Sequence, residues 1–239
     1  MDEAVHVAAQ ALGRAGRWDV AVALLDRWAT PTDAHDVALL RADLLADKAF
    51  WTSTPVPPTP PSAADDTRGP GTIDWQASWS RARASYTTLL QDRLSGRGVD
   101  RAAARDLLAR LDRLRALAPD DAAELAVRFH LGLVHENLLG NAAAATPHWT
   151  AAARSPVSDT AAAALRHLGG QHADAGDHAL ARDMWRESFR LRARDGDLPG
   201  ALAQLALLAP STPLDEALTL WVEAAGLAVL RDRGTSGSS

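Results

Sequence analysis

Apolar residues recur at helical spacing along almost the whole chain. Leucine, alanine and valine return every three or four positions, and no stretch alternates β-branched and polar residues over a strand's length. Alanine, leucine and arginine, which all favour helices, dominate. Glycine, proline and aspartate divide this pattern into about eleven predicted helices, at 2–15, 17–29, 33–50, 72–94, 100–117, 120–140, 142–154, 158–175, 177–194, 198–209 and 213–231.

Residues 52–72 interrupt the helical pattern. This stretch, TSTPVPPTPPSAADDTRGPGT, is rich in proline, which breaks helices, and it predicts an extended loop with polyproline character that acts as a lid. The chain is therefore divided into an N-terminal helical region (1–50), a proline-rich loop (51–72), a region of helical hairpins (73–232) and a disordered tail (233–239).

An alanine is followed one helical turn later by a tryptophan at three regularly spaced places. The pairs are Ala145–Trp149, Ala181–Trp185 and Ala217–Trp221, each 36 residues after the one before. Such a period predicts stacked helical hairpins, because one hairpin cannot bury its apolar face alone. The three tryptophans are interpreted as wedges that fill the space between neighbouring hairpins.

A glycine ends the helix before two of these alanines, Ala145 and Ala181, and another glycine stands in the same way before Ala21. Gly16, Gly140 and Gly176 each stand five residues before an alanine. The leading helices share the motif His-Leu-Gly-x-x-His, in HLGLVHENLLG (130–140) and HLGGQHADAG (167–176), although the first has one extra residue before its turn. The mid-helix glycines Gly132 and Gly169 destabilise a helix by about 1 kcal/mol relative to alanine, so we expect a second helix to approach closely there.

The segment LRHLGGQHADAGDHALARDMWRESFRL resembles the tetratricopeptide repeat family, with Leu168-Gly169 on its first helix, Gly176-Asp177 at its turn, and Ala181 on its second helix. The resemblance covers 120–231 well, 1–30 in part and 33–117 poorly. It implies an all-α fold, a right-handed α-α superhelix of about eleven helices. It also implies that first helices line a concave groove that binds an extended peptide.

Transferred onto this chain, the resemblance places a set of polar residues in that groove. His130 and Asn137 are seven residues apart and share a helix face, and so do His167 and Asp174. The candidate ligand-binding residues are His130, Glu136, Asn137, Arg166, His167 and Asp174. The alternative interpretation is that these residues line a solvated surface.

Other histidines and aromatic residues have structural interpretations. His135 and His172 share helix faces with leucines and are expected to be buried, hydrogen-bonded core residues. Trp75, Trp79 and Tyr86 are expected to form a packed aromatic stripe; the functional alternative is a wall beside the proline-rich loop, with Trp51 at the other mouth of that loop.

Composition excludes several classes of site and partner. The net charge of −5 and the pI near 5.9 give no overall basic character for nucleic acid or anionic membranes. The chain has no cysteine, no HExxH or His-x₃-His pair, no Walker motif, no GxGxxG and no GxSxG elbow. No metal, cofactor or catalytic residue is therefore predicted, and neither signal peptide nor membrane span is recognised.

Three functions are compatible with these observations. The first is a cytoplasmic, non-enzymatic adaptor that binds a protein or peptide segment, with a homodimer through the apolar face of the last helix as a further expectation. The second is a small-molecule sensor or regulatory module. The third is an enzyme that uses histidine and acidic groups in the groove. Only the types of residue present support this function, since no catalytic motif is recognised.

The wedge interpretation makes a prediction about stability. Replacing Trp149 with alanine removes a large side chain from between two hairpins and should lower the free energy of unfolding by ~3–5 kcal/mol. Urea denaturation followed by tryptophan fluorescence and circular dichroism measures this loss. A loss below ~1 kcal/mol would mean that the indole is a surface group.

Overall fold

The computed structural model describes residues 2–52, 54, 74–208, 219 and 222, and these residues are all-α, without strands. Ten α-helices follow one another within them. They are α1 (Glu3–Arg14), α2 (Trp18–Trp28), α3 (Ala34–Thr52), α4 (Trp75–Leu94), α5 (Arg101–Ala116), α6 (Asp121–Leu133), α7 (Ala142–Ala152), α8 (Ser158–Asp174), α9 (His178–Asp195) and α10 (Leu198–Leu208).

Capping side chains explain where several of these helices begin. The Asp100 carboxylate accepts hydrogen bonds from the backbone N–H groups of Ala102 and Ala103, at 2.9 and 3.0 Å, as expected for the N-cap of α5. α4 begins at Trp75 rather than Thr72, because Asp74 caps it by accepting a bond from Ala77 N–H at 3.1 Å. The predicted loop at 51–72 and the predicted helix at 213–231 lie almost wholly outside the described residues.

The glycines that were predicted to end helices have the left-handed conformation this role requires. φ is 74° at Gly16, 69° at Gly140 and 86° at Gly176. Gly196 (φ 69°) repeats the arrangement between α9 and α10. A left-handed residue at this point lets the following backbone N–H groups bond the last carbonyls of the helix, and glycine adopts it without steric strain.

An alanine five residues after each of these glycines is buried. Ala21, Ala145 and Ala181 are completely inaccessible, and Ala201 is 1% exposed. A methyl group is the largest side chain that lets two helix backbones come this close just after a turn, so the glycine sets the turn and the alanine sets the contact.

A π-helical turn at Val134–Leu138 accommodates the extra residue of the 130–140 segment. After it, the Asn141 N–H bonds the carbonyl of His135, six residues back, whereas in the matching turn the Asp177 N–H bonds the carbonyl of His172, five residues back. One inserted residue is what a single π turn absorbs. The two turns therefore end in the same way despite their different lengths.

The chain divides into two compact units, Met1–Gly13 with Arg17–Ala145, and Arg14–Gly16 with Thr146–Ser239. In the first unit α2 and α3 are antiparallel, since Asp19 contacts Lys48 at 2.6 Å and Asp26 contacts Arg41 at 3.7 Å. Gly13 of α1 also lies against α3: a Cβ added to it would be 2.5 Å from Cδ2 of Leu44.

The next pair, α3 and α4, is parallel. His35 contacts Asp74 near the start of both helices at 3.0 Å, Asp43 accepts a bond from Ser80 at 3.0 Å, and further along Asp47 accepts a bond from Arg83 at 2.6 Å. Partners therefore advance together along the two helices, which a short hairpin turn cannot produce.

Parallel neighbours explain why a long connection separates α3 from α4. α3 has 19 residues and is about 28 Å long, a distance the chain must cover again before α4 begins. Residues 53–73 reach about 60 Å when extended, which is ample. The parallel pairing by itself therefore requires a long connection between α3 and α4.

α4, α5 and α6 return to the hairpin pattern. The Trp75 indole donates to the carbonyl of Leu114 at 2.9 Å, so α4 and α5 are antiparallel. α4 and α6 are parallel, because Trp79 packs on His130 and Tyr86 bonds Asn137. The leucines and valines of these helices form one core cluster with the aromatic residues of α4.

In the second unit, α8 packs closely against α9 at Gly169. A Cβ on Gly169 would lie 2.5 Å from Nε1 of Trp185 and 3.2 Å from the Ala181 carbonyl oxygen. The Trp185 indole itself donates to the carbonyl of Arg166 at 3.1 Å. The expectation that a second helix approaches this glycine is confirmed.

Two of the three periodic tryptophans lie in the packing of the second unit. Trp149 is fully buried and stacks on His167 of α8, with ring centres 4.4 Å apart. Trp185 is half-buried and contacts the cluster of Phe189, Ala201 and its neighbours between α9 and α10. Their interpretation as wedges between successive helices is confirmed; Trp221 lies outside the described residues.

Two adjacent glycines of α8 provide a matched test of this packing. Gly169→Ala should lower the free energy of unfolding by ~1–3 kcal/mol, because Trp185 and the α9 backbone occupy the space of the new methyl group. Gly170→Ala should leave stability unchanged or raise it by up to ~1 kcal/mol, since a Cβ there meets nothing within 4 Å. Urea denaturation of both variants measures the difference; equal effects would contradict the close contact at Gly169.

Candidate functional site

His130, expected in an open groove, lies within an aromatic cluster of the first unit. We use this name for Trp75, Trp79, Tyr86, Phe129 and His130. The His130 ring meets Trp79 edge-on with centres 4.6 Å apart and also faces Tyr86 and Phe129, at 6.1 and 5.5 Å. The predicted aromatic stripe of α4 is thus packed: Trp79 and Tyr86 are buried, and Trp75 stacks on Trp79.

The electrostatics of the aromatic cluster keep His130 neutral. Burial, followed by the positive charge of Arg83, lowers the pKa of His130 to about 3, against an opposing contribution from its bond to Ala126. Nδ1 of His130 donates to the Ala126 carbonyl at 3.0 Å, which assigns its proton to Nδ1. Asp43 and Asp47 in turn balance the charge of Arg83, at 2.9 and 2.6 Å.

Glu136 and Asn137 both lie on the π turn. Asn137 donates through Nδ2 to the Tyr86 hydroxyl at 2.7 Å, and its carbonyl accepts a bond from Arg93. Glu136 is half-buried. These contacts give Asn137 a structural role in joining α6 to α4; binding of a ligand by either residue stays a prediction.

The two histidines expected in the core are only half-buried. His135 and His172 stand at the edge of the packed face of their helices, three residues after Gly132 and Gly169, so part of each ring reaches solvent. Partial burial lowers the pKa of His135, against a raising contribution from Asp112. His130 is half-buried as well, and it is the histidine that packs among the aromatic side chains of α4, which the sequence pattern does not show.

One face of α8 has no fully buried residue. We call this the α8 face, made of Ala163, Arg166, His167, Gly170 and Asp174. These positions fall on one side of the helix at 100° per residue, while the opposite side holds the buried residues Ala162, Leu168 and Gly169. The floor of the α8 face is open at Gly170, because a Cβ built on this glycine meets no atom within 4 Å.

Polar groups of fixed position border that open floor. Arg166 is half-buried, and its carbonyl holds the Trp185 indole. His167 is fixed by its stack on Trp149, with an interplanar angle of 25°. Asp174 is exposed at the C-terminal end. The structure thus brings three of the sequence-predicted residues, Arg166, His167 and Asp174, onto one face.

The other three predicted residues belong to the first unit and do not form an equivalent face. Leu133 occupies the place that Gly170 has in α8 and is 7% exposed. Its side chain fills the space that is open at Gly170. The shared motif His-Leu-Gly-x-x-His does not reveal this difference, because it allows any residue after the glycine. The useful signal in the sequence is the second glycine of Gly169-Gly170, which no helix–helix contact explains.

Comparison of the chain with protein-family models, with curated proteins and with solved structures gives no match. The resemblance to tetratricopeptide repeats therefore stays a prediction beyond the all-α fold. Among the described residues, no three histidine or acidic side chains gather in a way that would hold a metal ion. None of the described helices has the length and apolar character needed to cross a membrane.

The burial of His130 predicts an acid-sensitive contribution to stability. The unfolded chain takes up a proton at this histidine below its ordinary pKa of 6.5, whereas the folded chain does not until about 3. The contribution is therefore complete above pH ~6.5 and lost progressively as the pH falls toward ~3.

Between pH 7 and pH 5 the wild type should lose at most about 2 kcal/mol more stability than His130→Gln, which has no ionisable ring. Urea denaturation at both pH values measures this, and other titrating groups cancel in the difference. Parallel pH dependence of the two proteins would contradict a buried, neutral His130.

Proposed function

We propose that this chain is a non-enzymatic adaptor that binds an extended peptide segment of another protein on the α8 face. The proposal includes the finer architecture, a right-handed superhelix of the tetratricopeptide type, whose first helices present binding surfaces. The repeated glycine turns and buried alanines support stacked hairpins of this kind.

Gly170 is the observation that carries the proposal. A glycine in the middle of a helix costs about 1 kcal/mol relative to alanine, and its neighbour Gly169 has a packing reason that Gly170 lacks. The absent side chain leaves the helix backbone open to an approaching main chain. A bound peptide can come closer to α8 there than at any position with a Cβ.

The border residues supply the polar contacts for such a peptide. The Arg166 guanidinium can donate to a carboxylate or a main-chain carbonyl, and Asp174, two turns away, can accept from main-chain N–H groups or a basic side chain. The stack of His167 on Trp149 fixes that ring before any ligand arrives. Because these helices are already packed, little ordering is needed on the protein side, which favours binding.

The experiment uses a displayed library of random linear peptides, selected on the full chain. The affinity of selected peptides is then measured for wild type, Gly170→Leu and Arg166→Ala by fluorescence anisotropy. Gly170→Leu should weaken binding by about tenfold or more, since its side chain fills the floor, and Arg166→Ala by about fivefold to tenfold. Folding of each variant is checked by its thermal unfolding.

Ala179→Leu is the matched control, because it adds a similar side chain at an exposed position of α9 in the same unit. It should leave peptide affinity unchanged. If selection yields no peptide whose binding Gly170→Leu weakens, or if Ala179→Leu weakens it as much, the α8 face is not the binding surface.

A further inference from the structure

A second surface, on the outer side of α5 in the first unit, carries an excess of positive charge. The exposed positions of α5 carry four arginines and two aspartates, Asp106 and Asp112, in a chain whose net charge is −5. Its inner side packs through Ala104, Leu107, Leu111 and Leu114. We call the outer side the α5 face; its exposed members used here are Arg101, Arg105, Arg110, Arg113, Ala102, Ala109 and Ala116.

The arginines of the α5 face have no partners in the described part of the chain. Arg101, Arg105, Arg110 and Arg113 are exposed, and their side chains make no hydrogen bond or ion pair there. This differs from Arg115 on the same helix, which contacts Asp112 and Glu124 at 3.4 and 3.8 Å. The charge of four guanidinium groups, spread over about 18 Å of helix, is therefore available to a partner.

The helix dipole does not account for Arg101 and Arg105. Arg101 and Arg105 stand near the N-terminus of α5, where the helix dipole favours acidic residues, and no acidic residue occupies the first turn. Two exposed aspartates moderate the charge: Asp106 lies four residues before Arg110, and Asp112 lies seven residues after Arg105 and on its side of the helix. Binding of an anionic partner is a reason for arginines at this end of the helix that the dipole does not supply.

The shape of the α5 face fits a helix. Ala102, Ala109 and Ala116 recur every seventh residue and are all exposed, so they form a shallow strip along the helix. At 100° per residue, Arg101 and Arg105 lie on one side of this strip, and Arg113 and Arg110 on the other. A helix resting on the alanines would have arginines within reach along both of its edges.

We propose that the α5 face binds an acidic helical segment of a partner protein, with arginines pairing carboxylates on both sides of an alanine strip. This surface is separate from the α8 face and does not depend on the proposed function. An extended polyanion such as duplex DNA gives no reason for the exposed strip of Ala102, Ala109 and Ala116, on which a helix can rest.

The test uses a fluorescent helical peptide of about three heptads, with alanine in its seam and glutamate at its edges. Anisotropy at about 0.05 M salt should show saturable binding to the full chain that weakens as salt is raised to about 0.3 M. The variant R101Q/R105Q/R110Q/R113Q should bind at least about tenfold more weakly. Gly170→Leu should bind this peptide like wild type, which separates the two surfaces.

The control variant is R14Q/R17Q/R27Q/R154Q, which removes the same charge from exposed arginines whose side chains also lack partners among the described residues. It should keep most of the affinity. Equal losses in both variants would show that net charge alone drives the interaction and would overturn the proposal.

Two further outcomes would also overturn it. One is the absence of peptide binding at low salt, and the other is an affinity that the α5 variant does not change. Tighter binding of a DNA duplex than of the peptide, lost in the α5 variant, would reassign the surface to nucleic acid.

Discussion

Close contact between helix backbones at small residues is the constraint on which the rest of this structure depends. Each of four left-handed glycines is followed, five residues later, by a buried alanine. Gly169 meets the same requirement from the other side, under Trp185 and Ala181. Large side chains fill only the space that these contacts leave, so Trp149 and Trp185 depend on the small residues rather than the reverse.

Two features of the first unit depart from this packing pattern. The π turn at Val134–Leu138 absorbs one extra residue before the Gly140 turn and directs Asn137 toward Tyr86. The parallel pairing of α3 and α4 replaces a hairpin turn with a long connection and is held by charged and polar pairs from His35–Asp74 to Asp47–Arg83. The aromatic cluster that includes His130 lies in the same unit.

The candidate site could be predicted only in part. Sequence spacing placed His167 and Asp174 on one helix face and the family resemblance added Arg166; the structure has all three on that face, around the open position at Gly170. The same reasoning placed His130 in an open groove and His135 in the core, whereas both are half-buried and His130 lies among aromatic side chains. Helical spacing shows which residues share a face, but whether another helix covers that face depends on residues far away in the chain, here Trp79.

The sequence by itself determined the helices, most of their ends, the glycine turns and the role of Trp149 and Trp185, because these follow from local backbone preferences and short-range spacing. Only the tertiary structure decided that α3 and α4 are parallel, that His130 lies among aromatic side chains and is neutral, and that the α8 and α5 faces are not fully buried. Those features depend on contacts between distant segments, whose direction and order no local pattern encodes. The periodic glycines, alanines and tryptophans of the sequence predict the contact that each repeat makes. Which helix face stays accessible to a partner depends on the neighbours that surround each repeat in the folded chain.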